Sequence, residues 1–193
     1  MPPKARITRD MILDAAFDLV RAEGHEALNV RTLAKRLGCS TQPILYNVAA
    51  VEELKDAVYQ RADEFHTAYI LPKGGEGADA LLELGLNYVR FGHEEKHLFR
   101  FLFESDRFGG MDFKGLLRWP GSDELVAILA EALGCPAAEA EKLFMTFFAV
   151  AHGLASLLCN NAMEYDETEC AAMLETVFNG ALAALTSKGE EYA

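Results

Sequence analysis

A short segment near the N-terminus, residues 37–48, concentrates side chains that can hydrogen-bond to nucleic acid. Its polar groups surround Pro43 and are Ser40, Thr41, Gln42, Tyr46 and Asn47. A glutamine can pair with adenine through two hydrogen bonds, and hydroxyl groups bond to phosphate oxygens or base edges. On an isolated helix the same residues would simply face solvent. In this segment they indicate contact with a DNA groove.

Three short helices are predicted to position this segment. Apolar residues recur at a spacing of three and four between Ile12 and Val20, which is typical of a helix with one buried face. The predicted boundaries are polar caps at Thr8, Asn29 and Ser40 and glycine turns at Gly24 and Gly38. Pro43 then falls in the first turn of the third helix, where a missing N–H costs little, and Ile44 points to the core. The pattern predicts a helix-turn-helix.

Charge is distributed unevenly along the chain. The net charge of −12 argues against nucleic acid, because phosphate contacts need Lys and Arg. Residues 1–48, however, carry seven basic and five acidic groups, a net +2, whereas the remaining residues carry a net −14. This asymmetry favours a small DNA-contacting head on a body that DNA does not touch.

The rest of the 193-residue chain also reads as helical, since strand-like alternation is scarce. Six further helices are predicted at about 50–69, 78–91, 94–103, 122–134, 136–162 and 167–187, with an irregular segment at 104–123. The eighth helix is apolar nearly all round between Leu143 and Cys159, which favours a second buried face over a membrane span. We therefore expect a homodimer through the last two helices, and no membrane partner.

The N-terminal segment resembles the DNA-binding domain of the TetR family of transcriptional regulators. The match runs without a gap from Ile12 to Leu54, and the positions that agree in register are Ala16, Gly24, Leu28, Arg31, Leu33, Ala34, Gly38, Ser40 and Leu54. The resemblance implies an all-α chain, with a helix-turn-helix domain at 1–49 and a helical ligand-binding and dimerisation domain at 50–193. It also implies a cytoplasmic homodimer that binds a near-palindromic operator on double-stranded DNA. Such a regulator responds to a small-molecule effector and needs no cofactor.

The resemblance assigns roles to individual residues. Arg31 and Gln42 would read base edges. Phosphates or base edges would be contacted by Asn29, Ser40, Thr41, Tyr46 and Asn47, and a basic arm would comprise Lys4, Arg6 and Arg9.

Three positions depart from the family pattern. Leu45 stands where the family usually has a tyrosine in the third helix, and Val48 stands where it usually has an aromatic residue at the end of that helix. Val51 stands where the family usually has a lysine that contacts phosphate. Losing that charge predicts weaker binding with a flatter salt dependence. A helical ligand-binding or interaction protein that has lost operator recognition is therefore the alternative.

The remaining candidate sites lie in the acidic part of the chain. Effector contacts are predicted from aromatic and polar residues, namely Tyr88, Phe103, Trp119, Phe148 and His152. His152 is either a hydrogen-bonded core histidine or a ligand contact. The sequence HEEKH, from His93 to His97, matches a zinc-peptidase pattern, but its two intervening charged residues favour a polar helix start, and no metal is expected. The four cysteines are far apart and indicate free thiols.

Overall fold

The structure of the chain is a computed structural model. It describes residues 7–48, 50–74, 77–105, 111–112, 115 and 122–191, with only the backbone for 185–191. Within these ranges every regular element is helical, which confirms the predicted all-α class. The α-helices are α1 Arg9–Glu23, α2 Val30–Arg36, α3 Thr41–Asn47, α4 Val51–Ile70, α5 Gly77–Glu94, α6 Lys96–Phe103, α7 Ser122–Leu133, α8 Ala137–Asn160 and α9 Glu167–Glu191. A 3₁₀ turn, His25–Ala27, follows α1.

The ends of the first three helices follow from local chemistry. Thr8 Oγ1 accepts a hydrogen bond from the Met11 amide at 3.2 Å, and Gly24 ends α1 with a φ of 88°. Asn29 Oδ1 accepts from two backbone amides at the start of α2, at 3.1 and 3.0 Å. Ser40 occupies the predicted N-cap position of α3, although its side chain makes no capping hydrogen bond. Its extended backbone alone starts the helix.

The first compact unit comprises the residues up to Ala68 together with Glu95–Ser105. Its core is built from fully buried apolar side chains of five helices, including Ile12, Leu19, Leu33, Ile44, Val58 and Leu98. α6 belongs to this unit because its apolar side chains pack into that core, although about 50 residues separate it from α3. These units are defined by packing. The predicted boundary between a DNA-binding and a ligand-binding domain, at residues 49 and 50, stays a prediction.

The second unit comprises Tyr69–Glu94 and the described residues after 106. α8 packs against α5, α7 and α9 through one face, whose members include Ala140, Phe144, Phe147, Ala151, Ala155 and Leu158. Of the described helices, α8 is the one long and apolar enough to cross a membrane by length and composition. Its buried face is also what a core helix of a globular unit requires.

Two glycines of α5 allow this packing. A Cβ on Gly85 would lie 2.5 Å from the Phe147 ring, and a Cβ on Gly92 would lie 2.7 Å from the Ala155 Cβ. The predicted fifth helix ended at residue 91, but α5 continues through Gly92 to Glu94. The glycine is therefore explained by the close approach of α8 and not by a chain break.

Candidate nucleic-acid interface

α3 divides its side chains between core and solvent. Ile44 is 1% exposed and Val48 is buried, so these two residues anchor the helix. On the opposite side Thr41, Gln42 and Tyr46 are exposed, Tyr46 by 85%. The predicted outward orientation is thus observed for these three residues. Their hydrogen-bonding groups are available to an external partner.

Two asparagines of the predicted site are turned toward the backbone instead. Asn29 uses its side chain to cap α2 and to donate to the Ala27 carbonyl at 3.1 Å. Asn47 is half-buried, and its Nδ2 donates to the carbonyls of Pro43 and Ile7 at 2.7 and 3.4 Å. The expectation that Asn47 faces outward is therefore wrong. An amide satisfied by local carbonyls is a positioning group rather than an exposed donor.

Many arginines of the first unit pair with carboxylates. The pairs are Arg9–Glu53 at 2.9 Å, Arg36–Glu23 at 3.7 Å, Arg21–Glu95 and Arg61–Asp14. Arg31 and Lys35 are exposed on α2, and among the described residues neither takes part in an ion pair. These two residues are one helical turn apart, so they present positive charge on one side of α2. Lys4 and Arg6 lie outside the described residues.

The departures from the family pattern create an apolar surface where a charge is usual. Leu45 is 60% exposed, Val48 is buried and Val51 is half-buried. A cavity of about 190 Å³ lies beside them, lined by Leu28, Asn29, Val30, Leu33, Ile44, Leu45, Val48, Ala50, Val51 and Leu54. Nine of these ten residues are apolar. The start of α4 therefore offers no cation to phosphate, and Glu52 and Glu53 add carboxylates there.

Sequence reasoning missed two features of this surface. Lys35 was not predicted as a contact, although its position four residues after Arg31 is a helical-face signal. The Arg9–Glu53 pair joins residues 44 apart in the chain, and no local pattern announces it.

The predicted effector residues fall into separate places. In the second unit the Tyr88 hydroxyl is hydrogen-bonded to His152 Nδ1 at 2.9 Å, and the Phe148 ring lies 5.5 Å from Tyr88 and 5.8 Å from His152. Phe103 lies in the first unit, with its ring 5.0 Å from that of His66. Trp119 lies outside the described residues. Tyr88, Phe148 and His152 thus form one cluster, in which His152 is a hydrogen-bonded histidine.

The HEEKH sequence does not form the zinc-peptidase geometry. That motif needs both histidines one turn apart on a single helix. Here His93 is near the end of α5, Glu95 is outside both helices and His97 is in α6. The His93 ring stacks on Tyr165 at 4.9 Å. In the described ranges no group of three or more His, Cys, Asp or Glu is arranged to hold a metal ion.

Comparisons with known proteins place the chain among helical regulators. A family model described as "Tetracyclin repressor-like, C-terminal domain" matches residues 81–180. The tetracycline repressor protein class D of Escherichia coli is 32% identical over 78 residues, 40% of this chain and 36% of that repressor. The chain thus matches little more than a third of that relative's length. An uncharacterized HTH-type transcriptional regulator of Mycobacterium tuberculosis is 26% identical over 170 residues, 86% of this chain and 76% of that protein.

Solved structures extend the likeness to the fold of nearly the whole chain. A TetR-family transcriptional regulator from Streptomyces coelicolor superposes with a TM-score of 0.70 at 19% identity, covering 95% of this chain and 83% of that one. A TetR-like regulator from Rhodococcus sp. RHA1 gives a TM-score of 0.64 at 18% identity, with 95% and 98% covered.

Proposed function

The chain belongs to the TetR family of transcriptional regulators, and we propose that it is a repressor that a small-molecule effector releases from its operator. The observation that carries the DNA-binding part is the division of α3 into two sides. Ile44 and Val48 hold the helix on the core, and Gln42 and Tyr46 project from it. A short helix with this arrangement suits insertion into the major groove.

The roles at the DNA surface follow from the available donors. Gln42 and Arg31 contact base edges, with glutamine suited to adenine and arginine to guanine. Ser40, Thr41, Tyr46 and Lys35 contact phosphates and fix the register. Lys4 and Arg6 are proposed as a basic arm on the resemblance alone. Asn29 and Asn47 act indirectly, by holding the ends of α2 and α3.

We further propose that the protein is a homodimer through α8 and α9. Small and apolar residues of α8 are exposed at intervals of four, namely Ala149, Gly153 and Leu157, and Met173 of α9 is exposed as well. Burying this apolar surface against a second copy is favourable. Two heads of a symmetric dimer then address half-sites about 34–36 Å apart on a near-palindromic operator.

Sedimentation of a charged variant tests the dimer. A Cβ at Gly153 meets nothing within 4 Å in one protomer, so Gly153→Arg is compatible with the protomer fold. We expect this variant to sediment as a monomer with unchanged helicity. Ala127→Arg, on the exposed side of α7, is the matched control and stays dimeric. A dimeric Gly153→Arg protein would place the interface elsewhere.

For the effector we propose the cluster of Tyr88, Phe148 and His152 as part of the site, with Trp119 as a further candidate from the sequence. An aromatic wall with one hydrogen-bonded polar pair is typical of small-molecule sites. We propose two states of the dimer that differ in the spacing of the two DNA-binding domains. The effector shifts the equilibrium between these states only by the difference in its affinity for them. The proposed location of the protein is the cytoplasm, as the proposed binding to operator DNA requires.

Selection of genomic fragments, followed by mobility shift, tests operator binding. We expect the full-length dimer to retain selected fragments at low salt. Gln42→Ala should weaken binding by roughly 1–3 kcal/mol per half-site, because a bidentate base pair contact is lost. The matched control is Gln60→Ala, an exposed glutamine on α4, which leaves the affinity unchanged. Failure of a folded dimer to retain any fragment selectively contradicts the proposal.

The alternative is a helical ligand-binding or interaction protein without operator recognition. The half-buried Val51, in place of a phosphate-binding lysine, and the carboxylate of Glu53 close to it favour this alternative. It predicts that Arg31→Ala and Gln42→Ala leave every binding property of the protein unchanged.

A further inference from the structure

Leu45 is exposed far beyond what packing of α3 requires. Ile44 already supplies the buried side of this seven-residue helix, and Val48, which follows its last residue, is buried as well. Leu45 nevertheless leaves 60% of its surface in water, which is unfavourable for a side chain of four carbons. Binding of a partner that covers this side chain is therefore favoured by the free energy of burying apolar surface.

The cavity beside Leu45 is lined almost entirely by apolar side chains. Leu45 lines the 190 Å³ cavity together with Val30, Ala50 and Val51. The one polar side chain in the lining, Asn29, is already committed to capping α2. A phosphate placed here would lose water and gain no donor, which costs free energy. The position therefore cannot serve the phosphate contact that a tyrosine or lysine would make.

We propose that Leu45 is a specificity-determining residue that reads the C5-methyl group of a thymine in the operator. The thymine methyl is the one apolar group that base pairs present in the major groove, and apolar side chains recognise it by contact. The inference rests on the proposed operator binding. It adds a base preference that the polar residues of α3 do not provide.

The helix geometry locates this thymine relative to Gln42. Residues three apart lie on the same side of a helix, so Leu45 and Gln42 face the same groove. Three residues rise about 4.5 Å along the helix axis, which is close to the roughly 3.4 Å between successive base pairs. The recognised thymine therefore lies one or two base pairs from the base that Gln42 contacts.

Replacement of thymine by uracil is the sharpest test, because it removes only the methyl group. A duplex selected by the wild-type protein is resynthesised with dU at one dT position at a time, symmetrically in both half-sites. We expect one position per half-site to weaken binding of the dimer about fifteenfold, since a buried methyl-sized group contributes about 0.8 kcal/mol and one is removed from each of the two half-sites. The sensitive position should lie next to the one at which Gln42→Ala relaxes base preference.

Leu45→Ala connects the effect to the residue. This variant should bind the dT and dU duplexes with equal affinity, and circular dichroism should show the same helicity because the side chain is exposed. Leu71→Ala is the matched control, since Leu71 is 54% exposed in the second unit, and it should keep the wild-type dependence on the methyl group.

The outcomes separate this inference from the proposed function. If duplexes are bound selectively but no dT position is sensitive, or Leu45→Ala keeps the same sensitivity, the thymine contact is refuted and operator binding stands. If no duplex is bound selectively, both fall together. The scan of dT positions with the wild-type protein tests the thymine contact by itself, even if the Leu45→Ala protein does not fold.

Discussion

His66 makes the stability of the first unit depend on pH in a defined direction. Its side chain is 7% exposed on α4, with its ring 5.0 Å from that of Phe103. Burial lowers the pKa of His66 from 6.5 to about 4. The folded chain therefore resists protonation of this ring, while the unfolded chain accepts the proton near pH 6.5.

The size of the effect follows from proton linkage. Between pH 6.5 and 4 the unfolded state binds more protons, so the free energy of unfolding falls as the pH falls through this window. With the pKa of His66 at about 4 in the folded chain, the loss between pH 7 and pH 5 is about 2 kcal/mol. Above pH 7 the contribution of His66 changes by no more than about 0.2 kcal/mol.

Urea denaturation at pH 7 and pH 5, followed by far-ultraviolet circular dichroism at one protomer concentration, measures this loss. We expect His66→Phe, which keeps an aromatic ring against Phe103, to lose about 2 kcal/mol less than wild type over this interval. Both proteins carry the same carboxylates, Asp63 included, so the difference between their pH dependences isolates the contribution of His66. Burial raises the pKa of Asp63, so this carboxyl adds to the free energy of unfolding as the pH falls, opposite to the effect of His66.

A second histidine of the same unit provides the control. The His25 ring stacks on Phe101 at 5.6 Å, yet 39% of its side chain is exposed. His25→Phe makes the same substitution at a ring that keeps contact with solvent, so a comparison of the two variants tests burial itself. Equal pH dependence of wild type and His66→Phe would refute the reasoning from burial.

Three further predictions concern the interface and the two cores. Glu53→Gln should tighten operator binding by a dimer roughly two- to thirtyfold, because it frees Arg9 from a pair worth about 0.2–1 kcal/mol per protomer. Titrations at low and high salt should show this gain shrinking with salt, and weaker binding would contradict the prediction. Ile44→Ala should cost about 2–5 kcal/mol in urea denaturation and abolish operator binding, because it removes the anchor of α3; an unchanged midpoint would contradict it. Gly92→Ala should lower the free energy of unfolding by about 1–3 kcal/mol, because the added Cβ would lie 3.0 Å from backbone atoms of Ala155. A rise in the thermal midpoint would contradict this prediction, since it would mean that α5 and α8 move apart at no cost.

The sequence predicted those parts of the fold that depend on neighbours in the chain. Thr8 and Asn29 cap their helices, and Gly24 adopts the positive φ expected of a helix end, because each needs only atoms a few residues away. The helix-turn-helix was predicted on the same basis. Ser40 shows the limit, because a residue type suited to capping does not guarantee the hydrogen bond.

Features set by distant residues were not predicted. The inward turn of Asn47 depends on the Ile7 carbonyl, 40 residues earlier. The low pKa of His66 depends on α6 packing over α4, and the role of Gly92 depends on Ala155. The apolar periodicity of a segment shows which of its faces is buried, but it does not identify the segment that packs against that face. For the candidate site, the exposed positions of Gln42 and Tyr46 were predicted and the inward turn of Asn47 was not, while the contacts of these residues with DNA stay predictions.

The assignment of α6 to the first unit limits how this regulator can be dissected. The chain leaves the unit after Ala68 and returns to it at Glu95, so its core is assembled from two pieces of sequence. A fragment ending at residue 68 would lack Leu98, Phe99 and Leu102, and would expose the apolar surface they cover. Exchanging operator preference between relatives by grafting one contiguous N-terminal stretch would leave the recipient's α6 facing a foreign core. Chimaeras that transplant both pieces together avoid that mismatch.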